Sequence, residues 1–119
     1  MIIDVTKRLI DMTTGLGMID IQDSDQLDEK GVPIKIGSPF TLRLACIRAL
    51  LSGFRGEENE APEKKLERYE LAERIMKNDK PKLSHSEIAE IKGRVAKAWI
   101  GALICGQVTR MLDEGKPEK

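Results

Sequence analysis

The chain is poor in aromatic residues and has no excess of either charge. Aromatic residues make up 3% of its 119 residues, and 20 basic side chains balance 20 acidic ones. Strand-rich proteins draw on aromatic and β-branched residues, so this shortage favours helices packed through aliphatic side chains. A nucleic-acid binder usually carries a basic excess or patch, and the balanced total gives no global sign of one.

Cysteine and histidine are also scarce. Cys46 and Cys105 lie in apolar, helix-like segments, and His85 is the one histidine. Zinc sites use closely spaced ligands, and a Cys–His nucleophile needs both groups in one site. We therefore expect free thiols in a reducing compartment, a solvent-facing His85, and neither catalytic residues nor a bound metal or cofactor.

Two short stretches resemble ligand-binding loops only superficially. The acidic stretch from Asp20 to Glu29 lacks the glycine and the closing glutamate of a calcium loop. The TTGLGM stretch at residues 13–18 has two of the three glycines of a dinucleotide fingerprint, and no helix follows it directly. A solvated loop and a hairpin turn are the interpretations we adopt.

The most apolar stretch, KAWIGALICG at residues 97–106, is far too short to span a bilayer, which takes about 20 residues. The amino terminus lacks the pattern of a signal peptide, so we expect no membrane contact. The stretch either fills the core or also contacts another copy or another protein. The candidate protein-contact residues are Trp99, Ile100, Leu103, Ile104 and Val108.

The first 37 residues read as extended chain. Residues 18–21 and 32–36 are strand candidates, with Pro33 confined to an edge or a strand start. Residues 22–31, QDSDQLDEKG, read as a loop. These features predict a small hairpin, and Ile2, Ile3 and Val5 form a further β-like run.

Helical periodicity begins after Ser38. The first helix is predicted over 42–52 with Thr41 as N-cap, and it is apolar on nearly all sides and therefore central. The second is predicted over 63–78 after Pro62. Ser84 and Glu87 form a capping box before an apolar pattern that continues to Leu112. This last stretch is one helix or two, and we favour a break near Gly93 or Gly101.

The predicted fold is mainly α, a three- to four-helix bundle with a small N-terminal β-hairpin. It forms a single domain over residues 1–119: a hairpin or extended arm over 1–37, a helical core over 38–114 and a frayed tail over 115–119.

A modest positive groove is conceivable if the first and third helices pack side by side. Most of the basic residues have an acid three or four positions away, so a solvated face is the competing interpretation. The candidate basic face consists of Arg43, Arg48, Arg55, Lys92, Arg94 and Lys97.

Three stretches carry a resemblance to a known group: SPFTLRLACIRALL from Ser38, KKLERYELAERI from Lys64, and the sequence from Leu83 through GQVTRMLDE. In their pattern and order they resemble small uncharacterised helical proteins of tailed bacteriophages and prophages. The resemblance covers about residues 38–114 and implies a protein of the bacterial host cytoplasm or of particle assembly. It implies no activity and no site residues.

These observations predict a non-enzymatic phage protein that acts through protein–protein contacts, as an assembly factor, a chaperone or a small virion component. One alternative is an effector that binds and blocks a host defence or transcription protein. A second is a small nucleic-acid-binding regulator. The expected partner is a phage structural or host protein, self-association is an open alternative, and localisation is cytoplasmic or virion-associated.

Overall fold

The computed structural model describes residues 1–117, which form a hairpin followed by four helices. In chain order these are β1 (Ile19–Leu27), β2 (Pro33–Pro39), α1 (Leu42–Leu51), α2 (Pro62–Lys77), α3 (His85–Ala98) and α4 (Ala102–Asp113). The mainly α class with a hairpin near the N-terminus is confirmed. The bundle is loose: α2, α3 and α4 each pack against α1, while α2 is joined to α3 by the ion pair between Arg74 and Glu87 and not by close backbone packing.

Helix α1 is the centre of the core. The Thr41 hydroxyl accepts the Leu44 N–H at 3.3 Å and so starts the helix as an N-cap. Six of its ten residues are buried, because three other helices surround it: Leu42, Ala45, Cys46, Ile47, Ala49 and Leu50. The predicted central position is confirmed.

The helix starts follow the predicted chemistry. Pro62 opens α2, where a missing N–H costs nothing. Ser84 and Glu87 form the complete capping box of α3. The chain passes through Gly93 as regular helix and breaks at residues 99–101, so the break near Gly101 is confirmed and one at Gly93 is not.

The first ten residues cross the core without forming a helix, and they turn at Val5 and Thr6. Ile3, Val5 and Leu9 are fully buried. Their backbone groups bond to later parts of the chain: the Leu9 N–H donates to the Phe40 carbonyl, and the Val5 carbonyl accepts from Arg43, both at 2.9 Å. The β-like run at the N-terminus therefore forms single bridges within the helical core instead of a ribbon.

The hairpin is longer than predicted. We call Ile19–Pro39, the two strands and their turn, the ribbon. The prediction of a loop is wrong over 22–27, which belongs to β1, and agrees with the structure over 28–31. Both faces of this segment meet water, so it lacks the apolar–polar alternation that marks a half-buried strand. The turn itself occupies 28–32, where the Asp28 carboxylate accepts the N–H groups of Lys30 and Val32 at 2.8 and 3.0 Å.

The first two residues of the predicted frayed tail, Gly115 and Lys116, contact the N-terminal segment. Ile2 and Lys116 exchange two backbone hydrogen bonds of 2.7 and 3.0 Å. Gly115 lies against Ile3 so closely that a Cβ there would be 2.3 Å from the Ile3 Cδ1 atom. The N-terminal segment thus holds Gly115 and Lys116 in place. The rest of the predicted tail, residues 118–119, lies outside the described residues.

Candidate protein-contact surfaces

The break between α3 and α4 brings four of the five predicted contact residues together. Ile100 is 98% exposed, and Leu103 is about one-third exposed, at 36%. Trp99 and Ile104 are partly buried and pack against the core. We call these four residues the junction patch. Val108 is completely buried on the core side of α4, so it is a core residue and not a contact residue.

The junction patch surrounds a shallow depression of about 300 Å³, lined by Trp99, Ile100, Leu103, Ile104 and their small neighbours. The Trp99 indole packs edge-on against Phe40, with ring centroids 5.9 Å apart. The Gln107 side chain bonds to both backbone groups of Ile10 at 2.8 Å and to the Leu103 carbonyl at 3.0 Å. These contacts fix the rim, while Ile100 projects from it into solvent.

The ribbon carries a larger apolar surface that sequence reasoning missed. No helix backbone in the described part of the chain lies close to either strand, although Asp20 of β1 bonds to Arg48 of α1. Large aliphatic side chains on the ribbon are between 43% and 65% exposed: Ile19, Ile21, Leu27, Val32, Ile34 and Ile36. The alternation of apolar and polar residues at 34–36 indicated a strand, but no sequence signal showed that the strand lies outside the helical core with both faces exposed.

The ribbon register places aliphatic side chains on both faces. Ile21 lies opposite Gly37, and Gln22 lies opposite Ile36, so Ile21 and Ile36 point to opposite faces. Gly37 is needed for close approach, since a Cβ there would lie 2.9 Å from Ile19 Cγ2. Because neither face is covered, the ribbon exposes more apolar surface than scattered surface residues usually do.

One buried ion pair attaches the ribbon to the helices. Arg48 on α1 donates two hydrogen bonds, of 2.6 and 2.5 Å, to the two Asp20 carboxylate oxygens. Asp20 is only 7% exposed although it lies in β1. A two-pronged guanidinium–carboxylate contact fixes orientation as well as distance, so it sets the angle at which the ribbon leaves the body.

Most of the predicted basic face is used within the fold. Besides Arg48, Arg43 pairs with Asp79 and also donates to the Ile75 and Asn78 carbonyls at 3.2 Å. Lys92 pairs with Asp113. Arg94 pairs with Glu57. Four of the six cations are thus neutralised by neighbouring carboxylates, which leaves exposed Arg55 and Lys97, the latter 6.0 Å from the Phe54 ring centroid.

Arg94 is a buried structural residue. It is 5% exposed and donates to Glu57, to the Ala49 carbonyl at 2.8 Å and to the Ser52 carbonyl at 2.5 Å. Its hydrogen bonds lower the pKa of Glu57 to about 2. The pair fastens the loop after α1 to α3, so Arg94 holds the core together and offers no free charge to a partner.

The remaining titratable candidates do not converge on one site. His85 is exposed at the start of α3, and Cys46 is buried in α1. Burial raises the pKa of the Cys46 thiol to about 12, which suppresses the reactive thiolate. Within residues 1–117 no three His, Cys, Asp or Glu side chains gather as metal ligands would.

None of the helices in the described part of the chain has the length and apolarity needed to cross a membrane. No protein-family model, no curated protein sequence and no solved structure matches the chain. The resemblance to phage proteins therefore stays a prediction.

Proposed function

We propose that this protein works by binding another protein through its ribbon, with the junction patch as a second contact. The observation that supports this most directly is the exposure of the ribbon's aliphatic side chains on both faces. A two-stranded hairpin is marginally stable when it packs against nothing. A partner that covers one face would bury these side chains and stabilise the hairpin at the same time.

The charge of the ribbon defines the chemistry of the partner. Five carboxylates and two lysines lie between Ile19 and Pro39, a formal net charge of −3 that falls to −2 because Arg48 neutralises Asp20. β1 contains three aspartates and no basic residue. Arg48 pairs with Asp20 and Lys35 pairs with Asp23, so like-charge repulsion against a second β1 comes mainly from Asp25. The complementary surface is an aliphatic groove or strand with basic residues beside it.

The backbone favours addition of a strand to β1. The described sheet has two strands, so each keeps one unpaired edge. β2 begins and ends with proline, which cannot donate a ladder hydrogen bond. β1 contains no proline and is therefore the more open edge for an extended partner segment.

The biological setting we propose follows from the resemblance to phage proteins. In that setting the protein is an assembly factor, a chaperone or a small virion component in a bacterial host, and it acts without catalysis. The same surface also suits an effector that blocks a host protein. The identity of the partner distinguishes these roles.

A cross-linking pull-down from phage-infected host cells tests the proposal. Ile21→Thr with Ile36→Thr keeps β-branched residues in the ribbon and removes its apolar surface. The matched control is Leu66→Gln with Met76→Gln, which removes two comparably exposed side chains from α2. We expect the ribbon variant to lose the partner that the wild type and the control both retain.

Equal recovery of the partner by all three proteins would contradict the ribbon proposal. Recovery that is lost only with Ile100→Ser would move the contact to the junction patch. Salt-sensitive retention on heparin, unchanged in the ribbon variant, would instead favour a nucleic-acid ligand.

A further inference from the structure

The sequence between α3 and α4 contains little that would stop a helix. Trp99, the C-cap of α3, is extended, and its N–H still donates to the Val95 carbonyl at 3.0 Å. Gly101 has φ −74°, which is not the left-handed conformation that ends many helices. Gly101 offers no side-chain cap to α4, and no proline lies between Leu83 and Met111. Only the low helix propensity of Gly101 itself opposes continuation.

Tertiary contacts hold the break instead. α4 buries Val108 and Leu112 in the core, and Gln107 bonds to Ile10. Asp113 pairs with Lys92, and Lys116 pairs through its backbone with Ile2. All of these contacts join residues 102–117 to the rest of the molecule. They would form equally well if residues 102–117 came from another chain.

We propose that two copies of this protein exchange residues 102–117, with α3 and α4 joining into one straight helix in each copy. The straight helix runs from His85 to Asp113, 29 residues or roughly 43 Å. Each α4 then occupies the α4 position of the other copy and remakes the contacts described above. Such exchange of an identical element is a low-cost route to a dimer. This inference goes beyond the proposed function and does not depend on the ribbon partner.

The exchanged form would also bury Ile100. In the compact form Ile100 is the most exposed large hydrophobic side chain among the described residues. In a straight helix it lies three and four positions before Leu103 and Ile104, on one face. The two hinges meet at the two-fold axis of an exchanged dimer, so this apolar stripe would face its counterpart. The exchanged dimer would therefore cover Ile100, which is exposed in the compact form.

Two substitutions of Gly101 provide matched tests. The compact form accepts either residue: a Cβ at position 101 meets nothing within 4 Å, and φ −74° suits proline. In the straight helix their effects are opposite. Gly101→Ala favours the helix about fivefold per chain, or about 25-fold for the two chains of a dimer. Gly101→Pro disfavours it by roughly 30-fold per chain, because proline is about 2 kcal/mol less favourable than glycine within a helix.

A disulfide reports whether a dimer is exchanged. Ile2 and Lys116 form a hydrogen-bonded antiparallel pair, for which a Cα separation of about 5.5 Å is expected and a disulfide fits. Ile2→Cys with Lys116→Cys, in a Cys105→Ser background, forms this bond within one chain in the compact form. In the exchanged dimer the same bond joins two chains.

The experiment refolds wild type, Gly101→Ala and Gly101→Pro at high concentration and measures mass by light scattering. The disulfide variants are then oxidised and run on a non-reducing denaturing gel. We expect a dimer that increases with alanine and disappears with proline, and a covalent dimer on the gel. Circular dichroism and thermal unfolding verify that each variant folds. A dimer with disulfides only within chains would overturn the proposal, as would equal dimer content in both Gly101 variants or a Gly101→Ala protein that stays monomeric.

Discussion

The helical core and the ribbon use similar aliphatic residues in opposite environments. Ile91 on α3 is fully buried, whereas Ile21 on β1 is 65% exposed. In the core, Ile91 packs among side chains from several helices, and its burial repays part of the entropy lost on folding. In the ribbon, Ile21 stabilises little until something covers it. The difference shows that packing among the helices provides most of the folding free energy, while the ribbon carries the exposed apolar surface that a partner could cover.

The largest expected effect comes from removing a core side chain. Ile91→Ala should lower the free energy of unfolding by about 2–5 kcal/mol, because it leaves a cavity among packed helices. Ile21→Ala, which removes the same atoms from the ribbon, should change it by about 0.5 kcal/mol or less. Urea unfolding followed by circular dichroism measures both. Similar losses for the two variants would mean that the ribbon packs against the body.

A loss within the same range is expected on breaking the buried ion pair of the core. Arg94→Met should cost about 3 kcal/mol, because it leaves the Ala49 and Ser52 carbonyls and the Glu57 carboxylate without their donor. Adding Glu57→Gln to this variant should restore part of the loss, since no unpaired charge then remains. The same urea assay applied to both variants tests this, and a double variant less stable than Arg94→Met would contradict it.

Acid should weaken the same pair. The pKa of Glu57 is lowered from 4.5 to about 2 in the folded protein, mainly by hydrogen bonds from Arg94. A lowered folded pKa gives stability that is present above pH 4.5 and is lost as the pH falls toward 2. Unfolding measured from pH 7 to pH 3 should show this decline, and Glu57→Gln should show a flatter one. Parallel curves for the two proteins would remove Glu57 as the cause.

The ion pair between Asp20 and Arg48 tests how the two regions are joined. Asp20→Asn should lower the free energy of unfolding by about 1–2 kcal/mol, because a charge-assisted contact at a buried site becomes a weaker neutral one. The ribbon should also become easier to cleave by trypsin at Lys30 and Lys35, while the helices stay protected. Mass spectrometry of the early fragments measures this, and unchanged cleavage would show that other contacts hold the ribbon.

Sequence reasoning succeeded where the signal was local. Thr41, Pro62 and the Ser84–Glu87 capping box act on backbone groups within a few residues, so composition and spacing were sufficient. It failed where the structure depends on distant partners. The role of Arg94 requires Glu57, 37 positions away, and nothing near Arg94 distinguishes it from a solvated arginine. The long β1 was missed because a ribbon exposed on both faces has no alternating pattern to detect.

The same distinction between local signals and distant contacts applies to the candidate contact residues. Spacing placed Trp99, Ile104 and Val108 on one apolar stretch, but only packing against α1 decides that Val108 is covered and Ile100 is not. The ribbon surface could not be predicted, because exposure depends on which elements the hairpin fails to contact. Local chemistry therefore predicted where elements begin and end, and tertiary contacts decided which of their faces remain open.

The smallest expected effect is a gain of stability at Gly93. This residue lies in the middle of α3, and a Cβ there meets nothing within 4 Å. Gly93→Ala should raise the free energy of unfolding by about 0.5–1 kcal/mol, because alanine loses less backbone entropy in a helix. The gain would show that the helix continues through this position without needing the flexibility of glycine. A loss of stability in the urea assay would mean that a neighbouring surface approaches Gly93 closely.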